Sequence, residues 1–96
     1  MQNLFKMGGM EVFNFIIDYK LPGGLDAHET AQVICRNKGL AVQSTLERLR
    51  QEGIEIQCIV HVPGDYSTHD LDAFTRHIPP GIKCEVLYLN AGSLAQ

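Results

Sequence analysis

The stretch EVFNFIIDYKL, residues 11 to 21, decides the predicted fold. It is rich in β-branched and aromatic side chains and runs into a Pro-Gly-Gly sequence, which is typical of a strand that ends at a turn. Val12 and Ile16 fall on one face, and the other face carries Phe13, Phe15, Ile17, Tyr19 and Leu21. Apolar groups on both faces predict a central strand in a sheet that is covered on each side.

A long helical segment is predicted after this strand, over residues 26 to 52. Asp26 and Glu29 have the spacing of a capping box, and apolar residues recur at roughly helical intervals as far as Leu49. Lys38 interrupts that spacing beside Gly39, so the segment is either one helix or two shorter helices.

Two further strands and a second helix complete the predicted elements. Residues 54 to 63 alternate apolar and polar side chains, as does the stretch 82 to 90, and both are predicted strands. Ser67 followed by Asp70 predicts the start of a short helix between them, which the Pro-Pro-Gly run at residues 79 to 81 ends.

The predicted element order is therefore β-α-β-α-β, an α/β fold with a three-stranded, mainly parallel sheet of order 2-1-3 and helices packed on it. It corresponds to the opening half of a flavodoxin-like sheet, and the alternative is a ferredoxin-like α+β arrangement. Residues 1 to 9 are expected to form a flexible tail before a single domain over residues 10 to 96. Both outer strands of such a sheet are open, which predicts self-association.

Composition argues against several classes of function. A net charge of −3 does not give the basic surface that nucleic-acid binding requires. No apolar run reaches the length of a membrane span, and the first ten residues lack a signal-peptide pattern, so we expect a cytoplasmic protein. Cys35, Cys58 and Cys84 are widely spaced, which favours packing in a reducing compartment over metal or redox chemistry. We expect no cofactor and no metal.

Polar residues at the predicted carboxyl ends of the strands are candidates for ligand binding, because ligands of open parallel sheets bind there. The Gly-Gly pair precedes the predicted helix and could hold an anion on backbone N–H groups, although Asp26 and Glu29 would repel it. The candidate ligand-binding residues are Tyr19, Gly23, Gly24, Tyr66, Tyr88 and Asn90.

The stretch VHVPGDYSTHD, residues 60 to 70, contains the candidate catalytic residues. His61 is the candidate general base or ligand, because histidine titrates near neutral pH. Asp65 and His69 are its candidate partners, and either Asp18 or Asp65 would orient it. A structural interpretation is favoured: Asp65 suits a turn and Ser67 suits a helix cap. No phosphate-binding loop, dinucleotide fingerprint, serine-hydrolase elbow or zinc-protease motif occurs.

These observations favour a small homo-oligomeric binding or interaction module over an enzyme. Its expected partners are copies of itself and a protein or small-molecule ligand, with neither nucleic acid nor membrane among them. The alternative is a small hydrolase-like enzyme with an acid-base or metal site around His61, Asp65 and His69.

Overall fold

A computed structural model describes residues 9 to 90, which form four strands and two helices in the order β-β-α-β-α-β. Most of the expected tail, residues 1 to 8, and the last six residues lie outside the described residues. The elements are β1 (Glu11–Lys20), β2 (Asp26–Cys35), α1 (Lys38–Gln51), β3 (Glu55–Val62), α2 (Thr68–Phe74) and β4 (Glu85–Leu89).

The strands form one four-stranded sheet of order β2-β1-β3-β4, in which every neighbouring pair is antiparallel. The predicted three-stranded, mainly parallel sheet of flavodoxin-like order 2-1-3 is therefore wrong. The ferredoxin-like alternative is also wrong, because that arrangement follows the order β-α-β-β-α-β.

The missed strand β2 accounts for the difference. Residues 26 to 35 were predicted to be helical from the spacing of Ala27, Ala31 and Ile34, but they pair with β1 over ten consecutive positions. The Pro-Gly-Gly sequence is the turn of a β-hairpin, closed by the N–H of Gly24 donating to the carbonyl of Leu21 at 2.9 Å. Thr30, Val33 and Ile34 are β-branched residues that suit a strand, and the paired ladder outweighs the helical spacing.

Helix α1 begins at the residues that were predicted to interrupt a longer helix. Asn37 is its N-cap, because the Asn37 side-chain oxygen accepts the N–H of Leu40 at 2.9 Å. The helix buries Ala41, Thr45, Leu46 and Leu49. Only the second half of the predicted helical segment is therefore confirmed.

Strand β1 is internal and packs on both faces, as predicted. Phe13, Phe15 and Ile17 belong to the larger core cluster, which includes the buried residues of α1. Ile16 belongs to a second cluster with Val62 and Leu71, on the side of α2. We call these two sides of the sheet the α1 face and the α2 face.

A buried asparagine in β1 fastens the loop between β3 and α2 to the α2 face. Asn14 is only 2% exposed, and its Nδ2 donates to the carbonyl of Gly64 at 2.9 Å. Gln32 Nε2 donates both to Asn14 Oδ1 at 2.9 Å and to the carbonyl of Tyr66 at 2.8 Å. These bonds satisfy polar groups whose burial would otherwise be costly.

The loop then enters α2 through the predicted cap. The N–H of Asp70 donates to Ser67 Oγ at 3.1 Å, and the N–H of Ser67 donates to Asp70 Oδ2 at 3.3 Å. This reciprocal pair is a capping box. The structural roles predicted for Ser67 and Asp70 are therefore confirmed.

We expect Gly64→Ala to lower the free energy of unfolding by about 2–4 kcal/mol, because it adds both backbone strain and a steric clash. Gly64 has φ +125°, and a β-carbon there would lie 2.6 Å from Cε2 of Tyr66. Gly53→Ala is the control: φ is also positive, at +77°, but the space is open. Urea unfolding should show a loss of only about 1 kcal/mol for Gly53→Ala, and equal losses in the two variants would contradict the clash.

Candidate functional site

The antiparallel sheet separates residues that a parallel sheet would bring to one rim. In the β1–β3 pair, Asn14 lies opposite Val62 and Lys20 lies opposite Glu55, so the carboxyl ends of the two strands are at opposite ends of the sheet. The predicted shared rim depended on neighbouring strands ending at the same edge, which occurs only when they are parallel.

The four candidate catalytic residues lie on two faces of the sheet. The His61 ring contacts the rings of Phe13 and Phe15, which places it on the α1 face. His69 lies in α2, on the other side, and Asp65 is exposed in the loop before that helix. Asp18 alternates with Ile17 along β1 and therefore points to the α2 face. The structure does not bring His61, Asp65, His69 and Asp18 together.

The candidate ligand-binding residues are also dispersed. Gly23 and Gly24 form the β1–β2 turn, so no helix begins after them. The ring of Tyr66 packs against that of Phe74 at 5.0 Å on the α2 face, whereas Tyr88 lies opposite Ile59 and packs in the α1-face core.

Asn90 follows β4 and is bonded to the amino end of β3. Its N–H donates to the carbonyl of Gln57 at 2.9 Å, and its Nδ2 donates to the carbonyl of Ile56 at 3.3 Å. This residue therefore continues the pairing between β3 and β4, and the contact gives it a structural role.

His61 lies in a small ionic cluster at the amino end of α1. It is the cross-strand partner of Glu85, whose Oε1 lies 2.7 Å from Nζ of Lys38, the first residue of α1. The pKa of His61 is lowered by burial and then by the charge of Lys38, against the opposing effect of Glu85. The Lys38 hydrogen bond and charge lower the pKa of Glu85. His61 thus packs against two phenylalanine rings, and its lowered pKa favours the uncharged form at neutral pH.

This environment predicts that the protein becomes less stable as the pH falls. The unfolded chain takes a proton at His61 near its ordinary pKa of 6.5, whereas the folded chain takes it only at lower pH. The unfolded state then binds more protons, so the free energy of unfolding falls as pH decreases below about 6.5. In urea titrations, the free energy of unfolding of His61→Gln should fall less between pH 7 and pH 5 than that of the wild type. The exposed-site control His69→Gln should lose as much as the wild type; equal losses in all three proteins would contradict this assignment.

A shallow hollow near the β1–β2 turn is lined by two of the candidate site residues, Asp18 and Tyr19. Its volume is about 360 Å³, and it is lined by Asp18, Tyr19, Asp26, Ala27, His28 and Gln57. Asp18 lies directly opposite His28 in the hairpin. The sequence interpretation identified Asp18 and Tyr19 as candidates but placed Asp26 and His28 within the predicted helical segment 26 to 52. The signal for the pairing was the Gly-Gly turn followed by the two-residue alternation of residues 26 to 35.

The carboxylate of Asp18 also acts on a neighbouring thiol. Cys58 is the partner of Asp18 on β3, and its pKa is raised by burial and then by the Asp18 charge. Burial alone raises the pKa of Cys84. A raised pKa keeps these thiols protonated and poorly nucleophilic near neutral pH, as the predicted packing role requires.

We expect Asp18→Asn to lower the pKa of the Cys58 thiol while leaving the part of the shift that burial causes. The measurement is the pH dependence of alkylation at Cys58, resolved from the other two cysteines by peptide mass spectrometry. Asp26→Asn is the matched control, since it removes the second carboxylate of the hollow. An unchanged alkylation midpoint in Asp18→Asn, or the same change in both variants, would refute the role of Asp18.

Comparison with protein-family models, curated proteins and solved structures finds no match to this chain. Among residues 9 to 90, histidine, cysteine and carboxylate side chains do not gather in a group of three that could hold a metal ion. Neither helix in this part of the chain has the length and apolarity needed to cross a membrane.

Proposed function

We propose that the protein is a small homo-oligomeric binding module that acts in the cytoplasm by contact with copies of itself and with a protein or small-molecule ligand. The hollow around Asp18 and His28 is a candidate location for a small polar ligand. The surfaces available for protein contact are the two outer strands of the sheet.

The observation that carries this proposal is the open edge of β2. This strand is ten residues long, and its register with β1 runs without a shift from Asp26 to Cys35. In the described part of the chain no strand pairs with its outer side. Proteins usually protect such edges with proline, lysine, a bulge or a short strand, because the free N–H and C=O groups bind other strands. Strand β2 has no proline, lysine or bulge, and its acidic residues are Asp26 and Glu29.

An exposed apolar patch on β3 and β4, toward the edge of the sheet opposite β2, also supports the proposal. It is formed by Cys58, Val60, Val86 and Leu89, which are cross-strand partners of β3 and β4 on the α2 face. Val86 is 58% exposed and Leu89 is 48% exposed. Helix α2 packs over Ile16 and Val62, at one end of this face, which leaves the patch open to a partner.

The hydrolase-like alternative has less support in the geometry. A general base needs an orienting partner and a substrate within hydrogen-bond reach. His61 instead packs against the rings of Phe13 and Phe15 on the α1 face, and His69 lies on the opposite face of the sheet.

The proposal predicts that the full chain is larger than a monomer in solution. Sedimentation equilibrium across a hundredfold range of protein concentration should fit a reversible self-association, with the dimer or a higher oligomer populated at micromolar concentration. A single species of monomer mass at every concentration would overturn the homo-oligomeric proposal.

A further inference from the structure

We propose that two copies of the chain pair antiparallel along the open edges of β2, with Ala31 at the twofold axis and Asp26 of each copy facing Arg36, the residue that follows β2, in the other. This inference rests on the proposed homo-oligomer and specifies its interface. It joins the two sheets into one continuous sheet with a self-complementary contact.

The choice of β2 over β4 follows from how the two edges are built. Strand β4 has five residues, and its register with β3 shifts between Ile59 and Val60, so its edge is short and irregular. A short or bulged strand is a poor template for another strand. Strand β2 offers twice the length without a shift.

Both helices leave the approach to β2 open within the plane of the sheet. On the α1 face, Glu29 Oε2 lies 3.7 Å from Arg48 of α1. On the α2 face, Thr30 Oγ1 donates to Asp72 of α2 at 3.1 Å. These contacts come from above and below the sheet, so a second strand can approach β2 from the side.

The geometry of antiparallel pairing restricts the possible registers. The free backbone groups of an edge belong to every second residue, and opposed residues point to the same face. A twofold pair therefore has to be centred on a residue rather than between two residues. Ala31 and Thr30 are the two central residues of β2 that meet this condition with nearly full overlap.

Charge complementarity selects Ala31. Centring the pair on Ala31 places Thr30 opposite Gln32 on the α2 face and brings Asp26 next to Arg36, the bend residue that follows β2, at both ends of the interface. Asp26 and Arg36 are exposed, and neither forms an ion pair with another residue in the range 9 to 90. Centring it on Thr30 would instead place Asp26 opposite Ile34 and leave both charges unmatched. Opposite charges in directly facing positions stabilise a strand pair.

Charge exchange tests this register. Asp26→Arg and Arg36→Asp should each weaken self-association about tenfold, since two opposed like-charged pairs replace two exposed ion pairs. The double variant should return the dissociation constant to near the wild-type value. Asp65→Arg and Arg76→Asp are matched controls at exposed positions outside β2, on either side of α2, and should leave the dissociation constant unchanged. Circular dichroism and melting temperature report whether each variant is folded.

Cross-linking tests the same register by a second route. With Ala31 on the axis, residue 27 of one copy lies opposite Cys35 of the other, at a Cα separation of about 4.5–5.5 Å that a disulfide can span. Ala27→Cys should therefore give a covalent dimer when a mild oxidant takes up the two protons and two electrons of the thiols. The variant that also carries Cys35→Ser should not form this bond, and mass spectrometry of the joined peptides identifies it.

The outcomes separate this inference from the proposed function. Restoration by the double charge exchange together with the 27-to-35 cross-link supports the interface. An oligomer whose dissociation constant is unaffected by either single charge variant, and which gives no such cross-link, overturns this interface and leaves the homo-oligomer standing. A wild-type chain that remains monomeric overturns both.

Discussion

The structure depends on the burial of β1 between two layers. Phe15 and Ile17 are fully buried against α1, while Ile16, between them in sequence, is buried against Val62 and Leu71 on the other face. A strand with apolar groups on both faces gains from burial only when each face is covered. Helix α1 covers one face, and α2 with its flanking loops covers part of the other.

Asn14, a buried polar residue in β1, helps to attach the second layer, which is α2 with the loop that precedes it. Asn14 is buried on the α2 face, and its amide would destabilise the fold if it were left without partners. Gln32 and the carbonyl of Gly64 satisfy it. The polar stretch after β3 is therefore held by side-chain hydrogen bonds to its backbone carbonyls and by a helix cap. Its ionisable side chains, Asp65 and His69, remain exposed.

The sequence was sufficient to predict β1, its burial on both faces, the strand β3 and the cap of α2, because each has a local signal. Val12 to Tyr19 give the β-branched and aromatic pattern, and Ser67 with Asp70 gives the capping box. The sequence was insufficient to predict β2, because Ala27, Ala31 and Ile34 fit a helical period. The pairing of this segment with β1 across a turn is a non-local interaction that the local pattern does not show. Non-local pairing overrides local propensity.

That single error propagated to the site. A helix after β1 implies parallel neighbours and a shared carboxyl-end rim, whereas a hairpin reverses the chain and moves Asp18 to the end of the sheet away from His61. The register on β3 also shifts next to Asp18, so residues that alternate in sequence do not alternate strictly in space. The positions of Ile56 and Ile59, both buried on the α1 face despite an odd spacing, follow from this shift.

The polarity that made β2 resemble the surface of a helix has a different origin. Its α2-face residues, Asp26, His28, Thr30 and Gln32, lie beside an edge, where a side chain meets solvent or a partner rather than a core. An edge strand needs enough polarity to stay soluble when it is unpaired and enough β-branched content to pair when a strand arrives. Thr30, Val33 and Ile34 supply the second property. The composition that misled the helical interpretation is thus the composition expected of an edge strand.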